Sequence, residues 1–168
     1  MKKKLIVLFG MSGSGKNYLG ESLSDHINGM FVDGDDLFTD QDIEHLKQVT
    51  FTDEMRDDYH KRLINYVDKL FIENTNIILA TCLVKQRHRD LIYKHYKNSV
   101  MFVYLETKDT LSLHRLQNRQ HFFPASKYYD LKRKYDPITL GFQYLSLHNK
   151  NNTTIKDLLE LLKTEEAL

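Results

Sequence analysis

The sequence predicts an α/β fold in which helices flank a parallel sheet of about five strands. Short apolar runs alternate along the chain with longer amphipathic or polar segments, as in successive strand–helix–strand units. The first run, Leu5–Phe9, is apolar throughout, and a strand without alternation is typical of a parallel sheet covered on both faces. Right-handed crossovers between such strands would place helices on both faces of the sheet.

A glycine-rich loop of the form Gly-x-x-x-x-Gly-Lys follows the first strand directly and leads into a helical pattern. Its glycines allow backbone N–H groups to curl around an anion, and the helix directs its partially positive end toward it. We therefore predict a nucleotide phosphate site, with Lys16 reaching the outer phosphates, rather than an ordinary turn. The predicted nucleotide-binding residues are Gly10, Ser12, Gly13, Ser14, Gly15, Lys16 and Asn17.

Asn17 departs from this motif, because the lysine is normally followed by a Ser or Thr that binds Mg²⁺. An amide oxygen also binds hard cations, so Asn17 is still a predicted metal neighbour, although its longer side chain must move the metal or bind it through water. The alternative is a protein that binds nucleotide without catalysing metal-dependent transfer.

Two aspartates, Asp33 and Asp35, follow the predicted second strand Met30–Val32. Ligands of open α/β sheets bind beyond the carboxyl ends of the strands, so we expect both carboxylates at the edge that carries the phosphate loop. Their side chains would share a direction if the chain stays extended through Gly34. The third predicted strand ends without a carboxylate, which makes this pair the obvious acidic source. A surface turn is the alternative.

The other elements follow from apolar spacing and helix caps. The remaining predicted strands are Asn76–Ala80, Val100–Leu105 and Phe142–Leu147. The predicted helices are Gln41–Gln48, a long helix capped by Thr52, Val84–Tyr96, Thr107–Arg119 and a last helix capped by Thr153 or Thr154. The apolar stripe of the long helix is Met55, Tyr59, Leu63, Tyr66, Val67 and Leu70, and that of the last is Ile155, Leu158, Leu159 and Leu162.

The segment from about 117 to 137 is basic, aromatic and interrupted by proline. Its functional interpretation is a lid that folds over the phosphates and supplies arginines as charge moves in the transition state. A solvated basic surface is the alternative interpretation.

Length and composition limit the class of protein. A chain of 168 residues suits one domain, 1–168, and its net charge of +1 gives no reason to expect nucleic acid as a partner. The single cysteine suits a reducing compartment, and the first apolar run is too short for an export signal or a membrane span. We therefore expect a cytoplasmic protein without a membrane partner, and a homodimer remains open.

The order of these features resembles the gluconokinase family and, more distantly, shikimate kinase and adenylylsulfate kinase. The segments that carry the resemblance are GMSGSGK, VDGDDL, FTDEMR, KQRHRDLI, FVYLETKDT and RLQNRQHFF. The resemblance implies a P-loop NTPase fold of the nucleoside-monophosphate-kinase type with a lid. It also implies ATP- and Mg²⁺-dependent transfer of the γ-phosphoryl group to a hydroxyl of a small anionic acceptor, gluconate or a similar sugar acid by default.

Residue roles also follow from this resemblance, position by position. The implied catalytic residues are Lys16, Asp35 and the lid arginine Arg119. The implied substrate-binding residues are Asp35, which contacts the acceptor hydroxyl, Arg56 and Arg89, which hold its anionic group, and His121. The implied metal site consists of Asn17 and Asp33.

The sequence departs from the gluconokinase pattern mainly where the acceptor would bind. Phe38 stands where that family usually has His, Tyr59 replaces a Trp, and Cys82 replaces a Ser at the end of the third strand. Further departures are Thr39, Asp42, Gln48 and Thr50. The phosphotransfer frame is thus kept better than the gluconate pocket. A kinase of another anionic hydroxyl compound, such as a nucleotide, and a non-catalytic nucleotide-binding module both remain open.

Overall fold

The computed structural model describes residues 3–139 and 141–164, and within them it contains one five-stranded sheet. All strand pairs are parallel, and the order across the sheet is β2-β3-β1-β4-β5. The strands are β1 Lys4–Phe9, β2 Met30–Asp33, β3 Asn76–Thr81, β4 Val100–Glu106 and β5 Leu145–His148. The predicted parallel α/β sheet is confirmed.

Helices cover both faces of this sheet. They are α1 Lys16–Ile27, α2 Asp40–Gln48, α3 Asp53–Leu70, α4 Gln86–Tyr96, α5 Asp109–Gln117, α6 Tyr128–Lys134 and α7 Ile155–Thr164. The central strand β1 alternates between two cores. Leu5, Val7 and Phe9 pack with the apolar face of α3, whereas Ile6 and Leu8 pack with α1 and α7. Burial on both sides explains why β1 is apolar throughout.

Side-chain caps fix where several helices begin. The Thr52 hydroxyl accepts a hydrogen bond from the Met55 N–H at the start of α3, as predicted. Thr39 and Asp42 form a reciprocal capping box on α2. At α7, the Thr154 N–H donates to Asp157, so Thr154 rather than Thr153 occupies the cap position. The predicted core stripe of α3 is wrong at Tyr66, which is exposed.

Three predicted elements differ from the structure by two residues or more at one end or both. The fifth strand begins at Leu145, because Phe142 leaves the sheet and packs its ring against Phe9 and Phe102 in the core. Helix α4 begins at Gln86, since the preceding carbonyl of Val84 accepts a bond from the distant Asp136 N–H. Helix α5 spans only Asp109–Gln117 of the predicted segment.

No helix among the described residues is both long enough and apolar enough to cross a membrane.

Candidate active site

The phosphate loop lies between β1 and α1, at the carboxyl edge of the sheet. Gly13 and Gly15 have φ angles of 80° and 90°, a region that side chains disfavour, and a Cβ on Gly13 would lie 2.4 Å from the Ser112 carbonyl oxygen. No side chain caps α1, so its first N–H groups stay available to an anion. The Lys16 ammonium donates to the Gly10 and Met11 carbonyls, at 3.1 and 2.8 Å.

Side chains from neighbouring elements donate hydrogen bonds to carbonyl groups of this loop. Asn149, at the end of β5, and Thr107 both donate side-chain hydrogen bonds to the Ser14 carbonyl. Arg115 on α5 donates to the Gly13 carbonyl at 3.4 Å. Each bond engages a carbonyl and leaves the N–H side of the loop free, which preorganises an anion cradle. Sequence analysis missed Asn149, because nothing in the chain near it marks a contact with the loop.

Asn17 and Asp33, the two residues of the predicted metal site, are in direct contact. The Asn17 amide N–H donates to Asp33 Oδ2, and the Asp35 N–H donates to Asp33 Oδ1 at 2.9 Å. Burial raises the pKa of the Asp33 carboxyl, and the neighbouring Asp35 carboxylate raises it further. A cation here would reverse that shift, and the amide and carboxylate oxygens are hard donors of the kind that Mg²⁺ prefers.

The chain does not stay extended through Gly34, as the sequence argument assumed. A 3₁₀ turn, Gly34–Leu37, begins there, with Asp33 as its cap. The turn still leaves both carboxylates at the sheet edge, but it separates their surroundings. Asp33 remains beside the phosphate loop, whereas Asp35 faces the lid segment and lies 3.1 Å from Nε2 of His121.

The proton on His121 can be located from its neighbours. The Phe123 N–H donates to His121 Nδ1 at 3.1 Å, so Nδ1 carries a lone pair. The ring proton is therefore on Nε2 and is donated to Asp35 Oδ2. This pair joins the lid segment to the Asp35 turn and leaves the second Asp35 oxygen available to a ligand.

A cavity of about 40 Å³ lies between Asp35, the end of β3 and the lid. Arg56 from α3 lines it, and the Arg56 side chain is 6% exposed. The guanidinium has no hydrogen-bond or ion-pair partner among the described residues and lies 5.2 Å from the ring centre of Phe51. Burial lowers the pKa of this arginine. A buried cation without a counter-ion is suited to an anionic ligand.

Arg89 is not brought into this cavity, which corrects the expectation that it meets the acceptor directly. It is fully buried, and its five N–H groups are occupied within the protein. They donate to the carbonyls of Leu83, Val84, Asp136 and Pro137 and to the Gln86 side chain. Arg89 therefore ties the returning end of the lid to the loop after β3, and it has no donor left for a ligand.

Arg119 lies on the nucleotide side of the loop. It is exposed and lines an open groove together with Asn17, Arg115 and Asn149. Gly13 and Gly15 form the floor of the same groove. The structure thus separates two compartments along the phosphate loop. Arg119 belongs to the groove, whereas Asp35, Arg56 and His121 belong to the cavity.

Two buried histidines beside the cavity were not singled out by sequence analysis. His60 and His88 stack with ring centres 4.0 Å apart. His60 Nδ1 donates to the Arg56 carbonyl at 2.6 Å, so its Nε2 carries a lone pair, and this buried atom has no partner among the described residues. Burial lowers the pKa of His60 to about 3 and also lowers that of His88. Their spacing on different helices gives no local sequence signal.

Comparison with known proteins shows the family to which the sequence is related. A family model described as an AAA domain matches residues 6–122. The thermosensitive gluconokinase of Escherichia coli K12 is 30% identical over 128 residues, which cover 75% of this chain and 68% of that relative. The gluconokinase of Arabidopsis thaliana is 26% identical over 137 residues, covering 73% and 72%.

Solved structures show the same fold. A gluconokinase from Sinorhizobium meliloti 1021 superposes with a TM-score of 0.78 at 19% identity, covering 96% of this chain and 93% of that one. An unliganded sugar kinase from a Janibacter species gives 0.83 at 21% identity, covering 98% and 95%.

The fold and phosphate loop, together with the gluconokinase relatives, identify a P-loop kinase, a phosphotransferase with an alcohol group as acceptor. Within the P-loop proteins that the AAA domain describes, the chain belongs to the gluconokinase family. ATP is the phosphoryl donor that this family implies.

Proposed function

We propose that the protein transfers the γ-phosphoryl group of ATP to a hydroxyl of a small anionic acceptor, with gluconate as the first acceptor to test. The observation that carries this proposal is that the cavity containing Asp35 also contains Ser12 of the uncapped phosphate loop and the Arg56 guanidinium, which has no hydrogen-bond or ion-pair partner among the described residues. Gluconate enters because the relatives are gluconokinases.

In this reaction the acceptor oxygen forms a bond to the γ-phosphorus, and the bond from that phosphorus to the β–γ bridging oxygen breaks. The free oxygen of Asp35 orients the hydroxyl and takes its proton, while His121 holds the other oxygen. Arg56 binds the anionic group of the acceptor. Phosphate oxygens replace the carbonyl bonds of Lys16, which then neutralises charge on the outer phosphates with Arg119.

Asn17 and Asp33 would hold Mg²⁺, whose charge would neutralise phosphate oxygens. The described residues contain no group of three or more His, Cys, Asp or Glu side chains suited to a metal. Two oxygen-bearing side chains nevertheless suffice, because Mg²⁺ takes its other ligands from phosphates and water.

The test is ADP release with ATP, Mg²⁺ and gluconate, with ³¹P NMR to identify the phosphorylated product. Asp35→Asn should lower kcat about 10²-fold or more, on the scale of lost general-base assistance, and leave the KM for ATP nearly unchanged. Asp36→Asn is the matched control, because Asp36 lies in the same turn but is exposed. Parent-like kcat in Asp35→Asn, or no acceptor-dependent ADP release by the parent, would overturn the proposal.

A further inference from the structure

One wall of the cavity that contains Asp35 and Arg56 consists of aromatic rings. Phe38 stacks on Tyr59 with ring centres 4.2 Å apart and an interplanar angle of 21°. Phe38 also makes T-shaped contacts with Phe51 and with Phe122 of the lid, with ring centres 5.8 and 6.0 Å away. All four rings line the cavity, and the aliphatic side chains of Leu83 and Val84 extend this surface. A ligand enclosed here meets ring faces and hydrocarbon over most of its surface.

Most polar side chains of the cavity are already engaged by the protein. The Tyr59 hydroxyl donates to the Gly34 carbonyl at 3.0 Å and lies 3.4 Å from the Thr81 hydroxyl. The Ser12 hydroxyl lies 3.8 Å from the Cys82 thiol. His121 uses both ring nitrogens, on Asp35 and on the Phe123 N–H. The protein therefore already uses part of the hydrogen-bonding capacity of these groups.

Three side-chain groups that line the cavity have no hydrogen-bond or ion-pair partner among the described residues. They are the Arg56 guanidinium, the second oxygen of Asp35 and Nε2 of His60. His60 is 4% exposed and its Nε2 can only accept, because the ring proton is on Nδ1. The cavity therefore matches an acid group, a reacting hydroxyl and one further hydroxyl that donates to His60.

Gluconate carries a hydroxyl on every carbon beyond its carboxylate. Its remaining hydroxyls would leave water for a wall that is mostly aromatic and aliphatic. A buried hydroxyl without a hydrogen bond is penalised strongly compared with a hydrogen atom at the same place. Sites built this way favour the ligand that lacks the unmatched hydroxyls.

We propose that the preferred acceptor is a hydroxy acid with few hydroxyl groups and a hydrocarbon face. This inference rests on the proposed function. Phe38 determines the specificity of the cavity for this acceptor, because its ring is apolar, lines the aromatic wall and stacks on Tyr59. It is also the position where the resembling family usually has His.

The first experiment compares kcat/KM for gluconate, 3-deoxygluconate and 6-hydroxyhexanoate, all with the same carbon chain, carboxylate and terminal hydroxyl. The 3-deoxy acid should exceed gluconate by about tenfold or more, the scale of one unmatched buried hydroxyl. Phe38→His, which adds ring nitrogens, should reduce that ratio to about threefold or less. Phe38→Leu is the matched control, because it changes the shape but keeps the wall apolar, and the ratio should persist.

A gluconate kcat/KM equal to or above those of both analogues would overturn the inference and leave the kinase function standing. Equal ratios in Phe38→His and Phe38→Leu would overturn the role of Phe38. Calorimetric binding of the three acids, in the presence of a non-hydrolysable ATP analogue, separates the two proposals. Tighter binding of the deoxy acids supports the pocket chemistry even if no acid is phosphorylated, which would refute the kinase function alone.

Discussion

Replacing two buried arginines by methionine should have very different consequences for the free energy of unfolding. Arg89 is fully buried and donates to five acceptors, four of them backbone carbonyls. Arg56 is nearly as buried, yet its guanidinium has no hydrogen-bond or ion-pair partner in the described part of the chain. Methionine keeps most of the apolar stem in both cases, so the comparison isolates the guanidinium.

The expected magnitudes follow from what each guanidinium leaves behind. Arg89→Met strands several buried acceptors, each costing about 1–3 kcal/mol when unpaired. Water and relaxation recover part of this, so we expect a loss of about 4 kcal/mol in the free energy of unfolding, or roughly 10 °C in Tm for a chain of this length. Arg56→Met removes an uncompensated buried charge, so its effect should lie within about 1 kcal/mol of zero or be stabilising.

Urea unfolding followed by circular dichroism, with kinetics on the folded variants, tests the pair. Arg56→Met should keep parental stability but raise the KM for the acceptor. Arg89→Lys keeps the charge but has fewer donors, so it should lose stability as well. If Arg89→Met unfolds like the parent and changes only the acceptor KM, then Arg89 binds the acceptor and the reasoning from its contacts is refuted.

Three further predictions concern the lid, the metal and pH. Arg119→Ala should lower kcat about 10³-fold with little change in the KM for ATP; steady-state kinetics measure this, and a change under about threefold would make Arg119 ordinary surface. Asn17→Ser should lower the Mg²⁺ concentration for half-maximal rate, and an unchanged titration with activity intact would contradict the metal assignment. Burial lowers the pKa of His60 to about 3 and also lowers that of His88, so both bind protons more readily in the unfolded chain. Stability should therefore fall as pH drops below about 6.5, approaching about 1.4 kcal/mol per pH unit for His60, with His88 adding to the loss. In urea unfolding across pH 7 to 5, His60→Phe should flatten this dependence, and an unchanged slope would contradict it.

Local sequence was sufficient where one element carries the whole signal. The phosphate loop is contiguous, so its glycines, its lysine and the helix start could be read together. The buried strand β1 and the Thr52 cap are local in the same sense. Local sequence was not sufficient at Phe142, because an apolar residue beside a strand can either pack into the core or extend the sheet. That choice depended on Phe9 and Phe102, which are distant in sequence.

The two buried arginines show why a role assigned by resemblance must be checked against the contacts of the side chain. The resemblance assigns Arg56 and Arg89 the same role, binding the anionic group of the acceptor, because both match motifs of the family. The sequence indicates which helix carries an arginine, but not whether carbonyl groups from distant parts of the chain will accept its hydrogen bonds. For Arg89 those carbonyls come partly from Asp136 and Pro137, at the returning end of the lid.

The same contacts define how the lid can move. The returning end is tied to the loop after β3 by Arg89, by the Asp136 N–H bond to Val84 and by the Lys85–Asp136 ion pair at 3.0 Å. The entering end holds the cavity mainly through His121 and its bond to Asp35. A cavity of about 40 Å³ has room for only a few water molecules, so an acceptor must displace part of the lid. We predict that the lid opens from the His121 side, where the hydrogen bond to Asp35 is lost, rather than from the end held by Arg89 and the Lys85–Asp136 ion pair. When the lid closes again, His121 holds one Asp35 oxygen and the acceptor hydroxyl meets the free one.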